Sequence, residues 1–484
     1  MSALKEQIFP LQIPNAKSTG EYLEVFSAYD KTYLGKVEVA DKKAADQALQ
    51  NASELFSSKE NILTKEQRIS ILKKAAELIA KEKETVAVQA AAEGGKPYRD
   101  SLAEINRAID GLQSCVEVLR TQAGVEIPMG LNTASNHKIA FTHHEPIGVV
   151  LAFSAFNHPF NLIVHQVATA VAAGCPVIVK PAESTPLSCF RFVEFLYQAG
   201  LPKQYCQPLA VKDLTIAESL VSDPRIAFFS FIGSSKVGWM LRSKLAPGVH
   251  CALEHGGAAP VLLAEDANIK EAIPKLVKGG FYHAGQVCVS VQRIFIPESL
   301  LQDFVDPFVS AVKELKVGDP TLPDTDVGPL IREKEVSRLE EWIEEAKQDP
   351  ETKVLCGGKR ISSSCFEPTV LLNPPVTCNV SKKEIFGPVV NLYMYSNFDE
   401  ALDRANALPY AFQSAVFTSS LDTALKAFRK LKAQAVMVNE HTAFRVDWMP
   451  FGGYGDSGLG IGGIPYTIKD LQIEKLLVIH SQEL

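Results

Sequence analysis

The stretch IGVVLAFSAFNHPFNLIVHQVATAVAAGCPVIVK, from Ile147 to Lys180, decides the fold. Ile147 to Phe153 is a short apolar run of the kind that forms a buried strand. Leu162 to Ala173 reads as a helix, and Cys175 to Lys180 is a second short apolar strand. The alternation continues outward, with a helix over Ser188 to Ala199 and a strand from Ile226 to Phe231 that runs into Gly233. Strands alternating with helices predict an α/β fold built on a doubly wound parallel sheet, with ligands at the carboxyl ends of its strands.

Upstream, residues 65–92 form an amphipathic helix through Ile69, Leu72, Ala75, Leu78 and Ile79, ended by Gly94-Gly95-Lys96-Pro97. A second helix covers Ser101 to Arg120, and a strand begins at Lys138 and breaks at Glu145-Pro146. Downstream the pattern restarts. Pro260 to Leu263 is a strand, Asp266 caps the next helix, Pro274 kinks it, and Cys288 follows. Val336 to Ala346 is a further amphipathic helix through Leu339, Trp342 and Ile343.

A chain of 484 residues is too long for one core, so two or three packed units are expected. At 46% hydrophobic and 22% charged residues it has the make-up of an ordinary globular enzyme. A net charge of −7 argues against a general nucleic-acid binder. The nine cysteines, scattered from Cys115 to Cys378, form neither C-x-x-C pairs nor clusters at zinc spacing. They read as reduced thiols in a cytoplasmic protein that holds no metal. The first residues, MSALKEQIFPLQIPNAKSTG, lack the pattern of a signal peptide, and no apolar run reaches the roughly 18 residues of a membrane span.

Several motifs carry chemistry. Cys288 stands in HAGQVCVSVQ, Glu254 in ALEHGGAAP, and Asn157 in AFNHPFN. A thiol, a carboxylate and an amide donor are the parts needed for acyl transfer through a thioester. Singly, each has a plainer reading: a buried structural cysteine, a cap or surface carboxylate, a turn former. In VIVKPAEST, Lys180 ends a strand with Glu183 close behind, which suits the hydroxyls and phosphates of a nucleotide. FIGSSKVG sets Gly233 and Gly238 around a strand-to-helix turn that either faces a pyrophosphate or simply needs glycine.

Together these segments, with KEIFGPV around Glu384 and Phe386 and PFGG at Pro450 to Gly453, resemble the aldehyde dehydrogenase family over nearly the whole chain. The resemblance implies Cys288 as nucleophile, Glu254 as general base, and Asn157 with the Cys288 N–H as oxyanion donors. It assigns Ser154, Phe156, Lys180, Glu183, Gly233, Ser234, Gly238, Glu384 and Phe386 to the cofactor, although Phe386 equally suits a packing role. The cofactor implied is NAD or NADP. The Glu183 carboxylate, which accepts from a 2′-hydroxyl and repels a 2′-phosphate, favours NAD.

The implied architecture is a cofactor domain (1–120 and 143–252), a second α/β catalytic domain (253–452), and a small β oligomerisation arm with the tail (121–142 and 453–484). A homodimer or homotetramer follows, with the strand Lys475 to His480 joining the arm's sheet across a subunit interface. The tail YGDSGLGIGG lacks the lysine and the Arg-Glu pair of many relatives, at Gly455, Ile461 and Gly462. His158 and FRVDWMPFGG resemble the branch acting on small hydroxy-, phospho- or sulfo-aldehydes. Arg107, His158 and Arg445 then form a site for an anionic substrate end, or the two arginines serve salt bridges and solvation. The competing readings are a CoA-acylating relative, a non-catalytic protein on this scaffold, and a cysteine hydrolase using His283.

Overall fold

The computed structural model describes residues 6–484 and is organised around two mostly parallel sheets. The first has the order Gly458–Leu459, His250–Glu254, Ile226–Ile232, Val149–Phe153, Val177–Lys180, Cys206–Pro208. Only its edge strand Gly458–Leu459 is antiparallel. Val149–Phe153 is apolar at every position because both faces are covered. Val150 and Ala152 pack with the Lys65–Gly94 and Tyr98–Thr121 helices, while Val149, Leu151 and Phe153 pack with Lys42–Ser57 and Leu214–Val221. Register sets the strand ends level. Phe153 lies beside both Lys180 and Phe231, and Glu254 lies beside Ile232, so these ends form one rim.

The second sheet has the order Lys353–Cys356, Thr369–Leu372, Val389–Tyr395, Val291–Pro297, Ala259–Leu263, Gln413–Phe417, Ala435–Val438. The Ile269–Phe281 helix connects Ala259–Leu263 to Val291–Pro297, and Cys288 lies on the segment that returns from it.

Several local expectations are met or changed. Asp266 does not cap the Ile269–Phe281 helix; Asn268 does, while Asp266 accepts hydrogen bonds from Thr418 and Ser419. Pro274 lies inside that helix, where the kink was expected, and the helix runs on to Phe281. The final strand, Gln472–His480, joins the arm's sheet by pairing antiparallel with Lys138–Pro146 of its own chain, where a pairing across a subunit interface was expected. The reason is delivery: the Ile464–Asp470 helix sets Leu471 against Ile147, whose N–H donates to the Leu471 carbonyl at 3.0 Å. Of the segment grouped by sequence as arm and tail, Tyr454–Gly455 pairs with Tyr410–Ala411, while residues 458–471 lie on the first unit. Gly458–Leu459 pairs with Leu253–Glu254, and Ile464 and Ile468 enter that unit's core.

One buried ion pair braces the loop at Asn157. Lys96 and Glu104 have side chains 1% exposed and bond to each other. Lys96 Nζ also donates to the Asn157 carbonyl at 3.2 Å, and Glu104 accepts the N–H groups of Phe160 (3.0 Å) and Asn161 (2.8 Å). Lys96→Met strands the Glu104 charge and should cost about 3–5 kcal/mol. Adding Glu104→Gln, which keeps an oxygen for the two N–H groups, should recover much of that loss in thermal unfolding. A double variant no more stable than the single one would contradict the assignment.

Candidate active site

A cavity of about 710 Å³ opens along the carboxyl rim of the first sheet. It brings together Asn157, Glu254 and Cys288 with Ser154, Phe156, Lys180, Glu183, Gly233, Ser234, Glu384 and Phe386, and extends to Arg107, His158 and Arg445. Gly238 is absent from its wall. It faces the His255 ring inside the Ser235–Arg242 helix, where a Cβ would lie 1.9 Å from His255 Cε1. Its glycine therefore serves packing. The Gly233 N–H is also taken, by the Glu254 carbonyl at 3.0 Å.

Three successive left-handed residues, His283 (φ 52°), Ala284 (φ 52°) and Gly285 (φ 67°), turn the chain ahead of Cys288. Such a conformation is strained for non-glycine residues and must be held from outside. A Cβ at Gly285 would lie 2.1 Å from the Gly387 carbonyl oxygen, so only glycine fits the last position. Gln286, 1% exposed, clamps the turn by donating to the Pro329 carbonyl at 3.1 Å and accepting from the Ile331 N–H at 2.9 Å. The Asn157 side chain reaches across from the first unit and donates from Nδ2 to the Gln286 carbonyl at 3.0 Å.

Burial, then the nearby Glu254, holds the Cys288 thiol well above its usual range, with Arg445 pulling weakly the other way. Burial likewise raises Glu254, opposed by Arg445. His283 is fully buried and lies outside the cavity wall, so a cysteine-hydrolase base is not presented there.

At the far end, the Ser154 hydroxyl and one Glu384 carboxyl oxygen are buried without partners. Burial pushes Glu384 up to about 8. Gly256 leaves it room, since a Cβ there would lie 1.6 Å from Glu384 Oε1. Lys180 is held below its usual range by burial, partly offset by Glu183. Phe156 and Phe386 meet edge to face at 5.8 Å. Unsatisfied acceptors and hydroxyls, a lysine and two rings suit a dinucleotide: ribose hydroxyls and phosphates for the former, a nicotinamide face for the latter.

At the other end, Arg107 makes two hydrogen bonds to Asp447, from Nε at 2.9 Å and from an amino group at 2.7 Å. The salt-bridge reading of Arg107 thus holds, and the residue lines the cavity as well. Arg445 Nε is buried without a hydrogen bond, and its guanidinium carbon lies 3.5 Å from the Phe451 ring centre. His158 Nε2 is 3.1 Å from the Tyr282 hydroxyl; burial, then the Lys96 and Arg107 charges, pushes its pKa well down.

Sequence reading missed Asp447, Tyr282 and Trp342 of this region. Asp447 had one signal, a lone acid two residues from Arg445 in an otherwise apolar loop. Trp342, assigned to a helix's apolar face, lies at the cavity wall with Arg338 over its ring at 4.5 Å. Among the described residues no three His, Cys, Asp or Glu side chains are grouped to hold a metal, and no helix is long and apolar enough to cross a membrane.

The family model described as the aldehyde dehydrogenase family matches residues 15–476. The chain is 35% identical over 464 residues to a 3-sulfolactaldehyde dehydrogenase of Priestia aryabhattai, covering 96% of each. The solved structure of aldehyde dehydrogenase 21 from Physcomitrella patens, in complex with the reaction product succinate, superposes with a TM-score of 0.94. It is 33% identical, with 98% of this chain and 99% of that one covered. The glyceraldehyde-3-phosphate dehydrogenase GapN of Methanocaldococcus jannaschii, complexed with NADP, gives a TM-score of 0.91 at 32% identity, covering 96% and 100%. These findings favour neither the CoA-acylating nor the non-catalytic alternative. The chain belongs to the aldehyde dehydrogenase family and is an NAD(P)-dependent enzyme that oxidises an aldehyde.

Proposed function

We propose that Cys288 is the nucleophile of this oxidation, Glu254 the base that activates water, and Asn157 an oxyanion donor. The observation that carries the reading is the single cavity in which thiol, carboxyl and amide meet, continuous with the unsatisfied Ser154 and Glu384 oxygens. The Cys288 thiolate, its proton released to solvent water, adds to the aldehyde carbon and leaves a tetrahedral thiohemiacetal with negative charge on oxygen. One Asn157 N–H is engaged by Gln286; the other, with the Cys288 N–H, is free to meet that oxygen. Two such donors each lower the barrier by about 3 kcal/mol. A bound nicotinamide supplies the acceptor for the hydride lost as the thiohemiacetal becomes a thioester. Glu254, raised by burial, takes a proton from water, which attacks the thioester and frees the acid.

Ser154, Lys180, Glu183, Ser234 and Glu384 hold the cofactor in this reading, with Phe156 and Phe386 at the nicotinamide end and Gly233 giving the backbone a close approach. Glu183 is exposed at the cavity edge and favours NAD over NADP by repelling a 2′-phosphate. Arg107, Arg445 and the neutral His158 receive the far end of a short anionic aldehyde, in keeping with a relative named for a sulfonated aldehyde and a neighbour holding succinate. The outer strand of the arm exposes Leu476, Leu477, Val478 and Ile479, an apolar edge suited to joining two copies of the chain. The nine free thiols fit a reducing, cytoplasmic setting.

Cys288→Ala should abolish aldehyde oxidation. Glu254→Gln should keep a first-turnover burst of reduced coenzyme and slow the steady state by about a hundredfold or more, in the range of general-base effects. Undiminished turnover in Cys288→Ala would overturn the scheme. With NAD+ the kcat/KM should exceed that with NADP+, and Glu183→Gln should narrow the gap; a strong NADP+ preference of the unaltered enzyme would reverse the coenzyme assignment.

A further inference from the structure

Asp447 sits behind the arginine end of the cavity with its side chain 1% exposed, outside the cavity wall. Besides the two bonds from Arg107, its Oδ1 lies 2.6 Å from His165 Nε2 and accepts from Asn161 Nδ2 at 3.2 Å. Asn161 and His165 are four residues apart on one helix face, and the helix widens into a π turn over Val164–Ala168 that contains His165. Arg445 Nε is 3.9 Å from the same oxygen. Three chain segments thus converge on one carboxylate that lies outside the cavity lining. Although burial alone raises it, the bonds from His165 and Arg107 hold Asp447 far below the usual carboxylate range, so it is charged. Burial lowers His165 to about 4, so that imidazole is neutral near pH 7.

Around Asp447 the charge is therefore two guanidinium groups against one carboxylate, with Glu254 facing Arg445 from the reacting centre, a contribution common to every variant compared below. We propose that Asp447 sets the charge of the substrate: by offsetting one of the two arginines, it matches the pocket to an aldehyde bearing one negative charge, a carboxylate or sulfonate, over a doubly charged phosphate. The proposal rests on Arg107 and Arg445 receiving the substrate's far end. Its physical basis is that Coulomb energy scales with the charge on the ligand, so removing the Asp447 charge helps a dianion twice as much as a monoanion. Asp447 is a positioning residue, acting through Arg107 and through its field.

The test compares kcat/KM for butanal, 4-oxobutanoate and glyceraldehyde 3-phosphate. Asp447→Asn should raise the phosphate-to-carboxylate ratio by about tenfold. An unchanged or smaller ratio in the folded variant would overturn the proposal. Arg107→Gln cancels the remaining positive charge and should lower the carboxylate-to-butanal ratio by about tenfold. The double variant Arg107→Gln/Asp447→Asn returns the count to one positive charge and should restore that ratio to within about threefold of the parent. The double variant also serves if Asp447→Asn alone fails to fold; recovery supports the charge count, and no recovery over Arg107→Gln overturns it. If neither Arg107→Gln nor Arg445→Gln changes the carboxylate-to-butanal ratio, the anionic-end reading itself falls, and the proposal with it.

Discussion

The hydrogen bond from Asn157 Nδ2 to the Gln286 carbonyl, 3.0 Å long, joins the two halves of the molecule at the reacting point. One end belongs to the loop that leaves the central strand of the first sheet, the other to the strained turn that presents Cys288. Each half is braced separately. Lys96 and Glu104 hold the Asn157 loop from below, and Gln286 holds the left-handed turn through Pro329 and Ile331. Strain of this kind persists only where surrounding contacts over-determine it. The thiol and the amide therefore share a site because two independently fixed frames meet there.

The same enclosure governs the electrostatics. Burial drives Cys288, Glu254 and Glu384 toward their neutral forms and keeps His158 unprotonated. Arg445 acts on both Glu254 and Cys288 at the reacting centre, and further charged groups stand toward the two ends of the cavity. Lys180 and Glu183 line one end, Arg107 lines the other, and Asp447 lies buried behind Arg107 and Arg445. In the proposed reading, that layout would orient an aldehyde with an anionic tail, carbonyl toward the thiol and tail toward the guanidinium groups.

Local patterns are readable from sequence, and distant pairings are not. Val149–Phe153 announces a doubly covered strand because neither face tolerates a polar residue, whereas the segments holding Cys288, Glu254 and Asn157, each with a plainer reading alone, stand out through their joint resemblance to the aldehyde dehydrogenase family. Gly238 misled because glycine in a turn looks the same whether it faces a phosphate or, as here, a histidine ring. Asp447 and Arg107 lie 340 positions apart, and no local spacing encodes their contact. The return of Gln472–His480 onto Lys138–Pro146 depends on where the preceding helix docks, a tertiary fact that an apolar strand pattern does not contain.

The central claim is that the carbon chain of the substrate becomes covalently attached to Cys288 on the way to the acid. The most direct measurement is intact-protein and peptide mass analysis of the Glu254→Gln variant, quenched in acid after mixing with aldehyde and oxidised coenzyme. The account predicts an added acyl mass on the peptide containing Cys288, dependent on coenzyme and released by hydroxylamine. Coenzyme reduced in stoichiometric amount with no acyl mass on that peptide would contradict it.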